Sequence, residues 1–432
     1  MRPTLSSILH DRRFLIMLAL GFSSGAPLPL TLAILRRWMT ESGVSLTEIG
    51  LTALIGLPYS LKFLWSPLLD HAAPPLFRGW GLRRGWLATI QPLLAAAILL
   101  MGLTDPAVAP TATVLAAIAV AFLSASQDIV VDAYRIEVLD ERSQGLGLAF
   151  YVWGYRLAML ATGAGVLTLS EHWGWSGGFA YAAALIGVGF LATWLGPRAE
   201  ERIRSASASL RARLRSAVID PFADFTRRRY WLPILLFVAL FKLGEALAGV
   251  MVPSFQAELG FTRSEVAQVG SVFGLVATLA GALAGGWIVA RIGTARALVL
   301  TGLAQMLSNL MYVALAYAGH DMPMFYLQTG VENFTDGMAD SAFLAYLATL
   351  TNRAFTATQY ALLSSLAAVA SKTVGVFSGY LAERLGWPGF FLLTTAAALP
   401  AMGIMLFLLR RLPPRPSGAA EVEVEVAERH PA

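Results

Sequence analysis

Twelve apolar runs of about 20 residues each divide this 432-residue chain, more than any soluble fold can bury. Each run is long enough to cross a bilayer as a helix rising 1.5 Å per residue. A helix is also what the bilayer demands, because hydrocarbon offers no partner to a free backbone amide. Charge content agrees: only 14% of the residues are Asp, Glu, Lys or Arg, against about 25% in soluble domains, and the mean hydropathy is +0.63. A soluble enzyme, a disulfide-stapled secreted domain and a disordered chain are thereby excluded. The absence of cysteine also removes disulfides, thiolate metal sites and a thiol nucleophile. No cleavable signal peptide is expected, since the apolar stretch after Arg12 and Arg13 is too long for one and no small-residue cleavage pattern follows.

In the first half the runs fall near 14–35, 47–69, 85–104, 111–134, 145–169 and 177–196. In the second they fall near 231–253, 264–290, 297–318, 323–350, 358–381 and 389–409. The expected organisation is a six-helix half over 1–196, a basic linker over 197–230, a second six-helix half over 231–410 and a disordered tail over 411–432. Cation placement sets the orientation. With the N-terminus in the cytoplasm, 24 of the 32 Lys and Arg residues fall on the cytoplasmic side. Four (Arg36, Arg37, Arg263 and Arg384) fall outside, and four (Lys62, Arg156, Lys242 and Lys372) lie within spans. Both termini are therefore expected to be cytoplasmic. The net charge of +5 then reflects membrane orientation, with the linker near anionic lipid, and calls for no nucleic-acid partner.

Six spans, a linker and six spans is the arrangement of a major facilitator transporter, an all-α integral membrane fold of two repeated halves. Short basic loops recur at the same place in each half, Asp70-His71 with Arg83-Arg84 in the first and Arg291 with Arg296 in the second. His71 stands where the facilitator loop signature usually has Arg, so a weaker latch is expected there. The fourth segment of each half also repeats an amide beside an acid with more acid at helical spacing. These are Gln127, Asp128 and Asp132 in one half, and Glu332, Asn333, Asp336 and Asp340 in the other.

A charge at mid-bilayer costs at least about 2.5–3.5 kcal/mol, so each buried one needs a partner, a cavity or a neutral form. Asp128 and Asp132 are four residues apart and share a helix face, as do Glu332, Asp336 and Asp340 with some drift. Such acidic stripes must look inward. Lys242 and Glu245 are spaced to pair locally. Depth counting places Lys62, Asp128 and Arg156 at a similar level, so one cation could neutralise Asp128 and leave the other for an anionic cargo. For Asp132 and Asp340, nearer the helix ends, interhelical pairing that holds the bundle together is the plainer role. Desolvation favours the neutral carboxylic acid, so an inward acid near a movable cation could exchange a proton as the cation turns to cargo.

Tyr59, Trp65, Trp153 and Tyr155 flank these charges and could stack on a sugar ring, or simply pack the wall. Trp173, Trp175 and Trp387 sit at span ends and read as an interfacial belt. Pro27, Pro29, Pro58 and Pro67, with Gly21, Gly25 and Gly56, interrupt the first two segments, as suits helices that bend or line a cavity. The five histidines lie in loops or tails, and no H-E-x-x-H, G-x-S-x-G or phosphate-binding loop occurs. No enzyme, metal or cofactor is called for. The energy source expected is an ion gradient.

Several stretches identify a family: LGFSSGAPLPLTL (20–32), YSLKFLWSPLLD (59–70) with RRGW (83–86), SASQDIVVDAYRIEVL (124–139) and GYRLAML (154–160). The most specific is ENFTDGMADSAFLAYLATLTNRAFTATQYALLSSLAAV (332–369), followed by GWPGFF (386–391). Together they resemble the AmpG-type muropeptide permeases, with the acetyl-CoA transporters more distant, and the resemblance runs from about 14 to 410. It implies import of N-acetylglucosaminyl-1,6-anhydro-muropeptides across the bacterial inner membrane, driven by protons, for cell-wall recycling and β-lactamase induction. It also implies a monomer with protons and muropeptide as partners.

The substrate-binding residues implied by the shared motifs are Lys62, Gln127, Tyr155, Arg156 and Asn333, with Tyr59 and Trp153 added as flanking aromatics and Lys242 on burial. The proton-coupling set implied is Asp128, Asp132 and Glu332, with Asp336 added on its helical spacing and Glu245 on burial. Asp336 and Asp340 stand where the family often has small residues. A facilitator for another anionic metabolite, such as a CoA ester or a small peptide, and a non-transporting receptor are the other readings.

Overall fold

The computed structural model describes residues 11–72, 74, 76–139, 143–198, 226, 230–350 and 356–411. The linker expected over 197–230 and the tail over 411–432 lie almost wholly outside the described residues, as do the side chains of Asp70 and His71. In the first half, α1 is Arg12–Glu41, α2 is Leu46–Leu61 continued by Ser66–His71, α3 is Leu82–Leu103 and α4 is Pro110–Val138. A single helical stretch, Gln144–Leu195, is broken at Gly174 into α5 (144–173) and α6 (175–195). In the second half, α7 is Trp231–Glu258, α8 is Arg263–Ile292, α9 is Thr294–Ala318 and α10 is Met322–Thr349. Then α11 runs from Thr356–Gly375 through to 385, and α12 covers 387–411. Eight stretches among the described residues are long and apolar enough to cross a membrane unaided. The remaining spans are short pieces of α2 and α11, the doubled stretch through Gly174, and α10, whose three acids lower its hydropathy.

The repeat is explicit in the backbone. EHWGWSGGF (171–179) and ERLGWPGFF (383–391) share a Glu, then Gly-Trp, Gly and Phe at equal spacing. Their glycines, Gly174 (φ 69°, ψ 174°) and Gly386 (φ 64°, ψ 168°), take nearly the same conformation. A side chain there would be strained, so glycine lets the chain reverse between spans with no loop at all. Helix regularity also fails at matching depth: α2 tightens to 3₁₀ over Thr52–Gly56, and α8 widens to a π-turn over Ala267–Phe273. A π-turn over Leu30–Ile34 follows Pro27 and Pro29 in α1, so the prolines expected to bend that segment sit beside a break in its ladder.

The arrangement of the core reveals the shape. At the Gly174 end one continuous core joins both halves, running from Leu30, Trp38 and Ile49 through Phe179 to Phe255, Phe325 and Phe391. Toward the Arg83 end it divides. One core belongs to the first half (Met17, Leu87, Tyr134) and a separate one to the second (Phe237, Leu298, Phe343). The two halves are therefore joined at one end and parted at the other by a cleft. Arg83 and Arg84 instead tie the first half to itself. Arg83 Nη2 donates to Glu137 at 2.8 Å, and Arg84 Nε and Nη2 donate to the carbonyls of Thr193 and Trp194, each at 2.9 Å.

Replacing Gly174 or Gly386 by Ala is expected to lower stability by about 1–3 kcal/mol through backbone strain. Thermal unfolding of the purified protein in detergent measures it, with Gly187→Ala, where an added Cβ meets open space, as the control.

Candidate functional site

In the first half, Asp128 is 7% exposed and its buried Oδ1 accepts no hydrogen bond. Asp132, one turn further along α4, faces Lys62 Nζ at 4.0 Å and Arg135 Nη2 at 3.7 Å. Lys62 thus reaches the outer acid of the pair directly and acts on Asp128 through space. The Tyr59 hydroxyl is buried without a partner, and Tyr155 lies beside Tyr151 with ring centres 6.2 Å apart. Gln127 is fully buried between α4 and α1, where its Oε1 accepts from the Ser23 hydroxyl at 3.4 Å and its Nε2 donates to Ser24 at 3.3 Å. Arg156 is exposed and shares a helix face with Gly163, a position that meets Ser271 of the other half. Trp153 is 66% exposed, one step round α5 from that face.

The second half gathers its charge more tightly. The Lys242 ammonium bridges Glu245 at 2.9 Å, Asp336 at 3.2 Å and Asp340. Gln305 of α9 locks two of these acids, donating to Glu245 at 2.7 Å and to Asp336 at 2.9 Å. The α10 acids thus face inward, and the cation they hold is part of the chain. Glu332 accepts from Asn333 Nδ2 at 2.9 Å, and Asn333 Oδ1 accepts from Thr278 of α8 at 3.1 Å. The amide of each half therefore clasps its own helices, and the deep cations Lys62 and Lys242 each already have a carboxylate of their own half.

Interhalf contacts lie at the Gly174 end, and they follow the repeat. Glu171, at the end of α5, accepts from Ser264 N at 2.9 Å and from the Ser264 hydroxyl at the start of α8. Glu383, at the end of α11, accepts from Thr47 N at 3.0 Å and Thr47 Oγ1 at 2.6 Å at the start of α2. In both helices the preceding residues form a capping box, Ser45 with Glu48 and Thr262 with Glu265. A helix start has unsatisfied amides. The capping box takes two, and the carboxylate from the opposite half takes the one at the second position.

One element breaks the symmetry. Arg263 Nη2 contacts Glu41 at 2.5 Å, its Nη1 donates to the Ser170 carbonyl at 2.7 Å, and its guanidinium lies 4.1 Å above Trp175. The equivalent position in α2 is Leu46, which packs on α11 instead, where Gly379 leaves room for its carbonyl.

These contacts revise two readings of the sequence. Arg36 and Arg37 were counted as flanking residues, yet α1 continues to Glu41 and buries both at 6% and 5% exposure. Arg37 Nε meets Glu41 at 2.6 Å and its Nη2 donates across to the Phe261 carbonyl at 2.5 Å. Trp175 and Trp387, expected in an interfacial belt, are half-buried and pack against neighbouring helices. Trp175 lies against Trp38 at 5.8 Å, and Trp387 donates to Glu258 at 2.8 Å and packs on Phe255. Trp173, by contrast, is 66% exposed. The latch residues were missed because single charges at span ends resemble ordinary flanks. The signal that could have found them is the paired capping boxes SLTE and TRSE, which sit opposite the paired Glu-x-x-Gly-Trp motifs.

Two matches to the Major Facilitator Superfamily cover residues 13–327 and 234–431. The chain is 42% identical over 407 residues to the anhydromuropeptide permease of Escherichia coli (strain K12), spanning 94% of this chain and 81% of that protein. It is 36% identical over 412 residues to putative transporter AmpG 4 of Rickettsia felis, spanning 94% and 99%. Among solved structures, the nucleoside transporter NupG superposes with a TM-score of 0.71 at 15% identity, over 92% of this chain and 99% of that one. A D-xylose–proton symporter superposes at 0.64 with 12% identity, over 93% and 97%. These two share the fold.

Losing one carboxylate cap costs about 1 kcal/mol, roughly a five-fold shift in an equilibrium. Glu171→Gln with Glu383→Gln is therefore expected to raise thiol labelling of a cysteine placed at Ala53, buried in the shared core beneath the closed end, by more than ten-fold. Unchanged labelling would show that the shared core alone holds that end shut.

Proposed function

Because the chain belongs to the Major Facilitator Superfamily, and within it to the AmpG-type permeases, we propose that it imports anhydro-muropeptides from periplasm to cytoplasm with protons. Cell-wall recycling, and β-lactamase induction where that circuit exists, are the processes such import serves. The observation that carries the reading is the 42% identity to a named anhydromuropeptide permease across 94% of the chain. The charge arrangement supports it. Cation placement assigns the Arg83 end to the cytoplasm, both termini with it, and the Gly174 end to the periplasm. In that orientation the cleft opens to the cytoplasm, the state from which an importer releases cargo.

The mechanism we propose is alternating exposure of one cleft by rocking of the halves over their shared end, carried out by a monomer in the inner membrane. Asp128 is the proton carrier, since its buried Oδ1 has no donor and a bound proton or a cargo hydroxyl would satisfy it. Glu332 is its counterpart in the second half, with Asp132, Glu245 and Asp336 as the acids through which charge is redistributed. Lys62 and Arg156 receive a cargo carboxylate. For Lys62 this requires release of Asp132, which couples cargo to the acid pair. Lys242 stays with its three acids until one of them is protonated. Tyr59, Tyr155 and the exposed Trp153 present faces to the sugar rings, while Gln127 and Asn333 hold the helices that carry the acids.

Proteoliposomes containing the protein are expected to accumulate labelled N-acetylglucosaminyl-anhydromuramyl tripeptide under an inward proton gradient, and to stop when a protonophore is added. Asp128→Asn is expected to abolish accumulation while keeping cargo exchange within about three-fold of wild type, because binding survives loss of the proton site. Full gradient-driven accumulation by Asp128→Asn overturns its role. Absence of uptake by folded wild type overturns the cargo, and CoA esters and peptides become the next candidates.

A further inference from the structure

Two cations at the seam between the halves have no carboxylate among the described residues. Arg36, at 6% exposure, donates from Nε to Thr52 Oγ1 at 3.2 Å and from Nη1 to the Gly249 carbonyl at 3.3 Å. Thr52 can accept because its own hydroxyl proton goes to the Ile49 carbonyl at 2.6 Å. Lys372 of α11 crosses the seam between the halves and lies over Gly56. A Cβ on that glycine would sit 2.5 Å from Lys372 Cε and 3.3 Å from Nζ. Thr52 and Gly56 are the two ends of the 3₁₀ stretch of α2, four residues and about 8 Å of rise apart. The guanidinium and the ammonium thus lie at neighbouring levels of α2, near enough for Arg36 to act on the charge of Lys372. Among the described residues, no Asp or Glu lies within 4.0 Å of either. Neighbouring Arg37, by contrast, has Glu41, and Lys62 and Lys242 have acids of their own halves.

Two like charges held together inside a membrane protein are costly unless an anion joins them. The four helices involved are α1 and α2 of one half with α7 and α11 of the other, so the pair stands where the halves meet, at the closed end of the cleft. We propose that Arg36 and Lys372 form an anion-binding subsite, contributed by both halves, that receives a carboxylate of the cargo. Arg36 is fixed by Thr52 and Gly249 and sets the position of the anion. Lys372, on a flexible stem over a glycine, closes on it. An anion there binds both halves at once, which makes occupancy a brace between them, and neither residue belongs to the set read from the sequence. The assignment of the anion to cargo rests on the import reading above; the subsite itself rests on the uncompensated pair.

Full-length protein in detergent tests it with two probes. In the first, thermal unfolding is followed with succinate against chloride at equal ionic strength. Wild type is expected to show a saturable rise in Tm with succinate. Lys372→Met is expected to begin at an equal or higher Tm, since the repulsion is gone, and to lose the rise, while Lys372→Arg restores it. Gly56→Ala, which displaces the ammonium without removing it, is expected to weaken the rise. In the second, affinities are measured for the muramyl tripeptide and for its carboxylate methyl ester. Wild type is expected to prefer the free acid, and Lys372→Met is expected to lower that preference by about ten-fold, as loss of one charged hydrogen bond provides, leaving the share that Lys62 and Arg156 contribute. Retention of both the succinate effect and the acid preference in Lys372→Met overturns the subsite and leaves the cargo reading intact. So does a lower anion-free Tm with an unchanged acid preference, which would make Lys372 a packing residue. A Lys372-dependent succinate effect in a protein that binds neither muramyl peptide upholds the subsite and overturns the cargo.

Discussion

Lys242 is held by three carboxylates, and Lys62 by one, all drawn from the half that carries the lysine. Burying a charge away from water costs several kcal/mol, and removing its partner costs about as much again. Had these pairs bridged the cleft, every opening would have stripped a counter-ion in a low-dielectric setting. Local neutralisation lets the halves part over most of their depth without that penalty, and the divided core does the same for apolar surface. Motion then needs only a reversible join at one end.

That join is built from groups that water can replace. Glu171 and Glu383 satisfy amides at the starts of α8 and α2, at the rim of the bundle. When the rim opens, water can take over the same amides and carboxylates, so the two states differ little in energy. The symmetry follows from the repeat, since each half offers one capped helix start and one Glu ahead of a Gly-Trp reversal. Arg263 on Glu41, without a counterpart in α2, makes one side of the join more polar than the other.

Much of this was legible in the linear pattern. Period and length located the spans to within a few residues, and the acidic stripes of α4 and α10 could only face inward. Residue type could not say which cations were already spent. Lys62, Lys242 and Lys372 look alike in a sequence, yet two have carboxylate partners and the third lies over Gly56 beside Arg36. Cation counting placed Arg36 and Arg37 outside because they sit near the end of an apolar run. The helix instead runs on to Glu41, and that continuation delivers both guanidiniums to the seam. Gln127 read as a donor for cargo, although its amide is taken up by Ser23 and Ser24.

The sequence by itself determined that the chain spans a membrane as two related six-helix halves, because hydrocarbon admits only helices and a repeated motif must fold alike twice. It also determined which ionisable groups must lie inward, since lipid tolerates none of them. Only the tertiary structure decided how those groups are shared. Pairing depends on where side chains from distant segments converge to within a few ångströms, and spacing along one helix carries no information about its neighbours. The same reason put the closed end where Glu171 and Glu383 reach the opposite half, and brought Arg36 and Lys372 to the same stretch of α2.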